Sequence, residues 1–144
     1  MAGANRPLSP HLQIWKWGPH MAASIAHRAT GTILALVGIP TLVWWLLAAS
    51  SGPEAYQTFS TWVIDAGDAG GLAAVTTFLF KLAAILVAWA FFQHMLSGLR
   101  HLVMDLGAGY ELKANRTAAI LTFVGSILLT LLLIVFVAMR GLGS

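Results

Sequence analysis

The chain has no cysteine. Disulfides, iron–sulfur clusters and thiolate metal sites are thereby excluded from it. Any redox centre here must rest on the five histidines, on methionine or on another chain. Charge is scarce too: 9% of the 144 residues are charged, against roughly 25% in an average soluble domain. With eight basic and five acidic residues, the net charge of +3 gives no reason to expect a nucleic-acid partner. What matters is where the few charges sit. The first twenty residues, "MAGANRPLSPHLQIWKWGPH", hold no apolar core followed by a small-residue cleavage site, so no secretory signal is expected. They also lack the Arg- and Ser-rich pattern of a transit peptide.

What the chain has is apolar surface. Its hydrophobic fraction is 58% and its mean hydropathy +0.81. A spanning helix needs about 20 apolar residues, and three stretches qualify, at about 29–49, 72–104 and 117–139. The expected class is an all-α integral membrane protein with three transmembrane helices in one domain, 1–144, and an N-terminal interfacial arm, 1–28. Pro7, Pro10 and Pro19 break that arm, and Trp15 and Trp17 around Lys16 suit the lipid headgroups. A short interfacial helix is expected around Ala55 to Val63.

Charge sets the orientation. The first linker holds Glu54, Asp65 and Asp68 and no Lys or Arg, whereas Lys113 and Arg116 follow Arg100 in the second. The arm holds Arg6, Lys16 and Arg28. The positive-inside bias then puts the N-terminus and the second linker inside and the C-terminus outside.

Three features exceed what a membrane requires. The first is "SIAHRATG", Ser24–Gly31, where a hydroxyl, an imidazole and a guanidinium sit at the mouth of the first span. Ser24 and Arg28 are four apart and share a helix face. One reading is interfacial anchoring, with Arg28 snorkelling to phosphates. The other is a pocket in which a hydroxyl and a cation hold a carbonyl oxygen as negative charge develops on it.

The second feature is His94, in "FFQHMLSGLRHLVMD". It lies 11 residues before Asp105 and 13 after Lys81, about 16 Å and about 20 Å along a helix rising 1.5 Å per residue. An imidazole near mid-membrane is either an interhelical hydrogen bond or a haem axial ligand, with Gly98 one turn on leaving room for a flat ring. Gln93 beside it is also polar. His101 lies about 10.5 Å further along the axis, so His94 and His101 cannot clamp one iron. His11, His20 and His27 precede the first span as read here, so a second axial ligand is expected from another chain.

The third feature is the inner end of that span. His101 and Asp105, four apart, can pair. Arg100 is expected to anchor at the interface. Around these, Gly31, Ala35 and Gly38 form a small-residue stripe for close helix contact, and Pro40 is expected to bend the first span. Trp44, Trp45, Trp62 and Trp89 read as interfacial or packing aromatics.

"RPLSPHLQIW", "SIAHRATG" and "HMLSGLRHLVMD", taken together, resemble the cytochrome b membrane-anchor family of succinate dehydrogenase, respiratory complex II. The motifs S-x-x-H-R-x-[ST]-G and H-x-x-x-G-x-R-H-x-x-x-D carry the likeness, which covers nearly the whole chain. The resemblance implies four subunits: a flavoprotein, an iron–sulfur protein, this chain and a second small membrane anchor packed with it into a helical bundle. It implies a haem b shared between the two anchors and ubiquinone as substrate. Carried over, Ser24 and Arg28 match quinone-pocket residues, with Ile25 packing the quinone ring. His94 matches the axial ligand. His27, Arg28 and His101 match groups at or near the propionates. The expected location is a bacterial cytoplasmic membrane rather than a mitochondrial one. The alternatives are the anchor of a fumarate reductase, a purely structural anchor without haem, or a helical subunit of an unrelated transporter.

Overall fold

The computed structural model describes residues 9–64 and 71–141. Arg6, Pro7, Asp65 and Asp68 lie outside the described residues. After one helical turn, α1 (His11–Ile14), the chain runs extended through Trp15, whose ring meets Trp17 edge to face at 5.9 Å. Helix α2 (Pro19–Ile33) begins where Gly18 is extended and Pro19 takes the first turn, a position whose N–H has no helical partner in any case. It continues through a wide turn, 34–38, into α3 (Ile39–Ser50).

The wide turn has a covalent cause. Pro40 has no N–H, and its ring would collide with the carbonyl of Leu36 in a regular α-helix. The helix widens instead, and the Ile39 N–H reaches back five residues to the Leu34 carbonyl, a one-turn π-bulge. The bulge also alters the small-residue stripe. Gly31 and Gly38 face α5, against His94 and Val87, but Ala35, inside the widened turn, lies exposed.

At the end of α3 Gly52 takes a φ of 108°, open to glycine because it has no Cβ, and Pro53 starts α4 (Pro53–Val63). This short helix occupies the place expected for an interfacial one. It docks through Phe59, which is buried against Trp44 with ring centres 4.9 Å apart. Helix α5 (Gly71–Asp105) and helix α6 (Leu112–Gly141) complete the described residues. α5 is central, packed on α2, α4 and α6.

The packing is inverted relative to a water-soluble protein. Buried positions are alanines (Ala23, Ala48, Ala90, Ala119), Phe59, and polar residues such as Thr30, Gln93, Ser97, Thr122, Ser126 and Thr130. The large aliphatic side chains point outward, Leu36, Leu82, Leu99 and Leu132 among them. In lipid an aliphatic side chain gains little by leaving the exterior, so small residues that let backbones approach and hydroxyls that bond across helices take the interior.

Among the described residues three helices are long and apolar enough to cross a membrane: Pro19–Ser50, Ala74–Asp105 and Leu112–Arg140. The protein is an all-α, three-span helical bundle and a multi-pass membrane protein. The first of these has 32 residues, about 48 Å of helix, against roughly 30 Å of hydrocarbon. Its first turns, which contain Ser24, His27 and Arg28, therefore overshoot the apolar run. The apolar pattern marks the hydrocarbon; the helix itself starts ten residues earlier than that pattern does, at Pro19.

Candidate functional site

Helix α5 carries two polar rows. His94, Gly98 and His101 recur at helical spacing and face α2, where all three lie against His27 or its neighbours. Gln93 and Arg100, with Ser97 between them, sit one residue earlier and face α6. One residue is a rotation of about 100°, so two adjacent faces of a single helix serve different neighbours.

On the first row, the α2 backbone holds His94. Its Nδ1 lies 3.0 Å from the main-chain carbonyl of His27. A carbonyl only accepts, so Nδ1 carries the proton and donates. Nε2 is then the ring atom with the free lone pair, and it has no protein partner among the described residues. The His27 and His94 rings stack, with centres 4.0 Å apart and planes 6° from parallel. His101 meets the His27 ring edge-on at 5.1 Å. Three imidazoles thus form one cluster.

Two glycines lie against these rings, and one of them is required. A Cβ at position 31 would lie 2.9 Å from His94 Cε1 and 3.3 Å from Nδ1, and one at Gly98 would lie 3.7 Å from His27 Cε1. The first contact is tighter than a real Cβ tolerates, and the second is ordinary. Thr30, fully buried, donates its hydroxyl to the Ala26 carbonyl at 2.7 Å or to the His27 carbonyl at 3.0 Å. The His27 carbonyl therefore lies within reach of both Thr30 and His94. The His27 Nδ1 is enclosed without a hydrogen-bond partner. Buried polar atoms are nearly always satisfied, so this one marks a place where a polar group belongs.

The second row binds α5 to α6. Gln93 is completely buried. Its Nε2 donates to Ser97 Oγ at 3.1 Å and lies 3.4 Å from Thr122 Oγ1, while its Oε1 accepts from Ser126 Oγ at 2.7 Å. Where α5 turns into α6, Arg100 donates through Nη2 to Asn115 Oδ1. Arg100 is therefore a half-buried interhelical tie rather than the interfacial anchor expected of it, and its Nε is enclosed without a partner. A second expectation also shifts. His101 is turned to His27, whereas Asp105 is exposed, and no hydrogen bond joins His101 to Asp105 among the described residues.

The residues singled out in the first span lie together on α2. Ser24 is half-buried and Arg28 and Ile25 are exposed. Arg28 makes no ion pair among the described residues, and its main-chain carbonyl accepts from the Thr32 hydroxyl at 3.0 Å. An exposed guanidinium, a hydroxyl one turn before it and an isoleucine between them present a polar edge with an apolar neighbour. The Gln93 network lay outside the sequence reading. Its trace was present in Thr122, Ser126 and Thr130, spaced at four within an otherwise apolar span.

The chemistry of these groups is limited and specific. Among the described residues no three His, Asp or Glu side chains converge as a metal site. The parallel stacking of His27 and His94 also rules them out as opposed ligands of one ion, since their ring faces, not their nitrogens, oppose. A single imidazole with its remote N–H tied to a carbonyl is the arrangement of a metal-ligating histidine.

Comparison with known proteins adds to this geometry. The sequence model of the family described as "Succinate dehydrogenase/Fumarate reductase transmembrane subunit" matches residues 3–133. The succinate dehydrogenase cytochrome b556 subunit of Paracoccus denitrificans is 37% identical over 133 residues, covering 92% of each chain. The subunit of the same name from Rickettsia felis is 34% identical over 128 residues, covering 89% of this chain and 90% of its own. The mitochondrial succinate dehydrogenase cytochrome b560 subunit of Mus musculus is 37% identical over 106 residues, 74% of this chain and 56% of its own.

Proposed function

The chain belongs to the succinate dehydrogenase/fumarate reductase transmembrane-subunit family, and from that premise we propose that it anchors a succinate dehydrogenase in the membrane, helps form its ubiquinone site and supplies one axial ligand to a haem b. Its partners would be a flavoprotein, an iron–sulfur subunit and a second small anchor with which it would share the haem b. The location proposed is a bacterial cytoplasmic membrane, with the N-terminus inside.

One observation carries this reading: the Nδ1–H of His94 is tied to the His27 carbonyl, which leaves Nε2 free. The residues present fit haem b. His94 would hold the iron, and the enclosed, unpartnered Nδ1 of His27 is suited to a propionate carboxylate. The His101 ring lies 5.1 Å from that of His27 and Arg28 follows His27 in the chain, so both would be further donors to the same propionates. Bound there, haem b supplies a one-electron redox centre.

The remaining chemistry belongs to the chain's own side chains. Arg28 and Ser24, on one face of α2, hold the quinone head by its carbonyl oxygen. The guanidinium stabilises the negative charge that develops there, because a donor placed in advance costs no reorganisation. Ile25 packs the ring. The helix mouth lets a lipid-borne quinone reach these groups while protons arrive from the aqueous side.

The test is the reduced-minus-oxidised visible spectrum of the purified complex, parent beside His94→Ala. A b-type α-band that is lost or shifted in the assembled variant supports the assignment. An intact, active parent complex without such a band would falsify it and leave a haem-free anchor.

A further inference from the structure

We propose that Gly31 is a positioning residue for His94, acting by leaving a notch in α2 through which the imidazole edge reaches the His27 carbonyl. The inference rests on His94 being a haem ligand and concerns what holds it. A side chain at position 31 would begin 2.9 Å from Cε1 and 3.3 Å from Nδ1 of the His94 ring. Backbone and ring would then have to separate, and the 3.0 Å hydrogen bond to the His27 carbonyl would lengthen or break. That bond fixes which ring nitrogen carries the proton and adds electron density to the other. Gly31 thus controls the donor strength of Nε2 through its fit against the His94 ring, without contributing a ligand itself.

Thr30 acts on the same carbonyl from the other side. Its one hydroxyl proton is shared between the Ala26 carbonyl at 2.7 Å and the His27 oxygen at 3.0 Å, and the share given to His27 weakens that oxygen as an acceptor for His94. A stronger axial donor favours ferric over ferrous iron. The two positions therefore carry opposite signs. Gly31→Ala weakens the His94 bond and raises the haem midpoint potential. Thr30→Val, nearly isosteric and removing only a hydroxyl bonded within its own helix, frees the carbonyl for His94 and lowers it.

The experiment is a redox titration of haem absorbance in the purified four-subunit complex. Gly31→Ala and Thr30→Val are compared with the parent and with Gly125→Ala. A Cβ added at position 125, on α6, would lie 3.0 Å from Leu96 Cδ1, and so crowds α5 from its α6 side, away from the His94 ring. The expected result is an upward shift in Gly31→Ala, a downward shift in Thr30→Val and a parent-like midpoint in Gly125→Ala. Haem retention in Gly31→Ala should also fall by about 10-fold, the lower end for losing an outer partner of a ligand. Equal shifts in Gly31→Ala and Gly125→Ala would mean general packing and overturn the proposal. So would an unchanged or raised midpoint in Thr30→Val, which decides the matter if Gly31→Ala fails to assemble. A parent complex without a haem band overturns the haem assignment and this inference together. A parent with the band and unshifted variants overturns this inference alone.

Discussion

Arg28 is the residue most exposed to a functional test. It is a guanidinium at the mouth of a membrane helix, exposed and free of any ion pair among the described residues. Ser24, one turn before it, offers a hydroxyl on the same face. If they hold the quinone head, Arg28→Ala should lower quinone reduction by at least about tenfold, as loss of a donor to developing negative charge does. Ser24→Ala removes a neutral hydrogen bond, about 1 kcal/mol, and should slow turnover several-fold. Succinate oxidation with a soluble dye should stay at the parental rate in both assembled variants. Parental quinone turnover in Arg28→Ala would return that residue to plain headgroup anchoring. The residue scale also shows where a one-dimensional reading stops. Ser24, Arg28 and His94 stand out because polar groups beside hydrocarbon need a reason. The partners of His94 do not stand out: they are a main-chain carbonyl and the missing side chain of Gly31.

At the scale of elements, the two polar rows of α5 divide its work. The His94 row meets α2, and the Gln93 row fastens α5 to α6 through Ser97, Thr122 and Ser126. Because the rows are one residue apart, the α6 contact sets the rotation at which His94 meets α2. Gln93→Leu removes the network's central member and leaves the Ser126 and Thr122 hydroxyls without their partner on α5. Interhelical hydrogen bonds in membranes average about 0.6 kcal/mol each, so the loss should be about 1–2 kcal/mol. A lowered midpoint for denaturant-induced unfolding of the complex in detergent would register it. No change in that midpoint would mean the network contributes nothing net to the bundle. The π-bulge belongs to this scale as well. Pro40 predicts a perturbed helix, but the perturbation is a widened turn on its N-terminal side, which carries Ala35 out of the stripe it was expected to share with Gly31 and Gly38.

For the whole molecule, topology is the open consequence. Basic residues in the N-terminal arm and in the first turns of α6 (Lys113, Arg116), and their absence between α3 and the described start of α5, predict that the N-terminus and the α5–α6 turn are inside. A chain without cysteine makes this simple to measure. Ser51→Cys, in the first linker, should react with a membrane-impermeant thiol reagent from the outer face of intact cells. Ala108→Cys, in the α5–α6 turn, should react only after the membrane is opened. The reverse pattern would invert the topology and detach the Ser24–Arg28 site from the side on which the proposed iron–sulfur partner would have to dock.

The amino-acid sequence by itself determined the class and the candidates. Apolar runs of spanning length leave helices as the fold, since lipid offers no partner to an unpaired backbone group. Few charges in so apolar a chain make each one conspicuous. Tertiary structure alone decided which of those groups meet. Spacing places His94, Gly98 and His101 on one face of a helix, but it does not say which neighbour that face addresses. It could not show that His27 stacks on His94, that Arg100 turns to Asn115 rather than to the interface, or that His101 faces His27 and not Asp105. Those outcomes depend on the rotation of one helix against another, and small residues and buried hydroxyls far apart in the chain set that rotation.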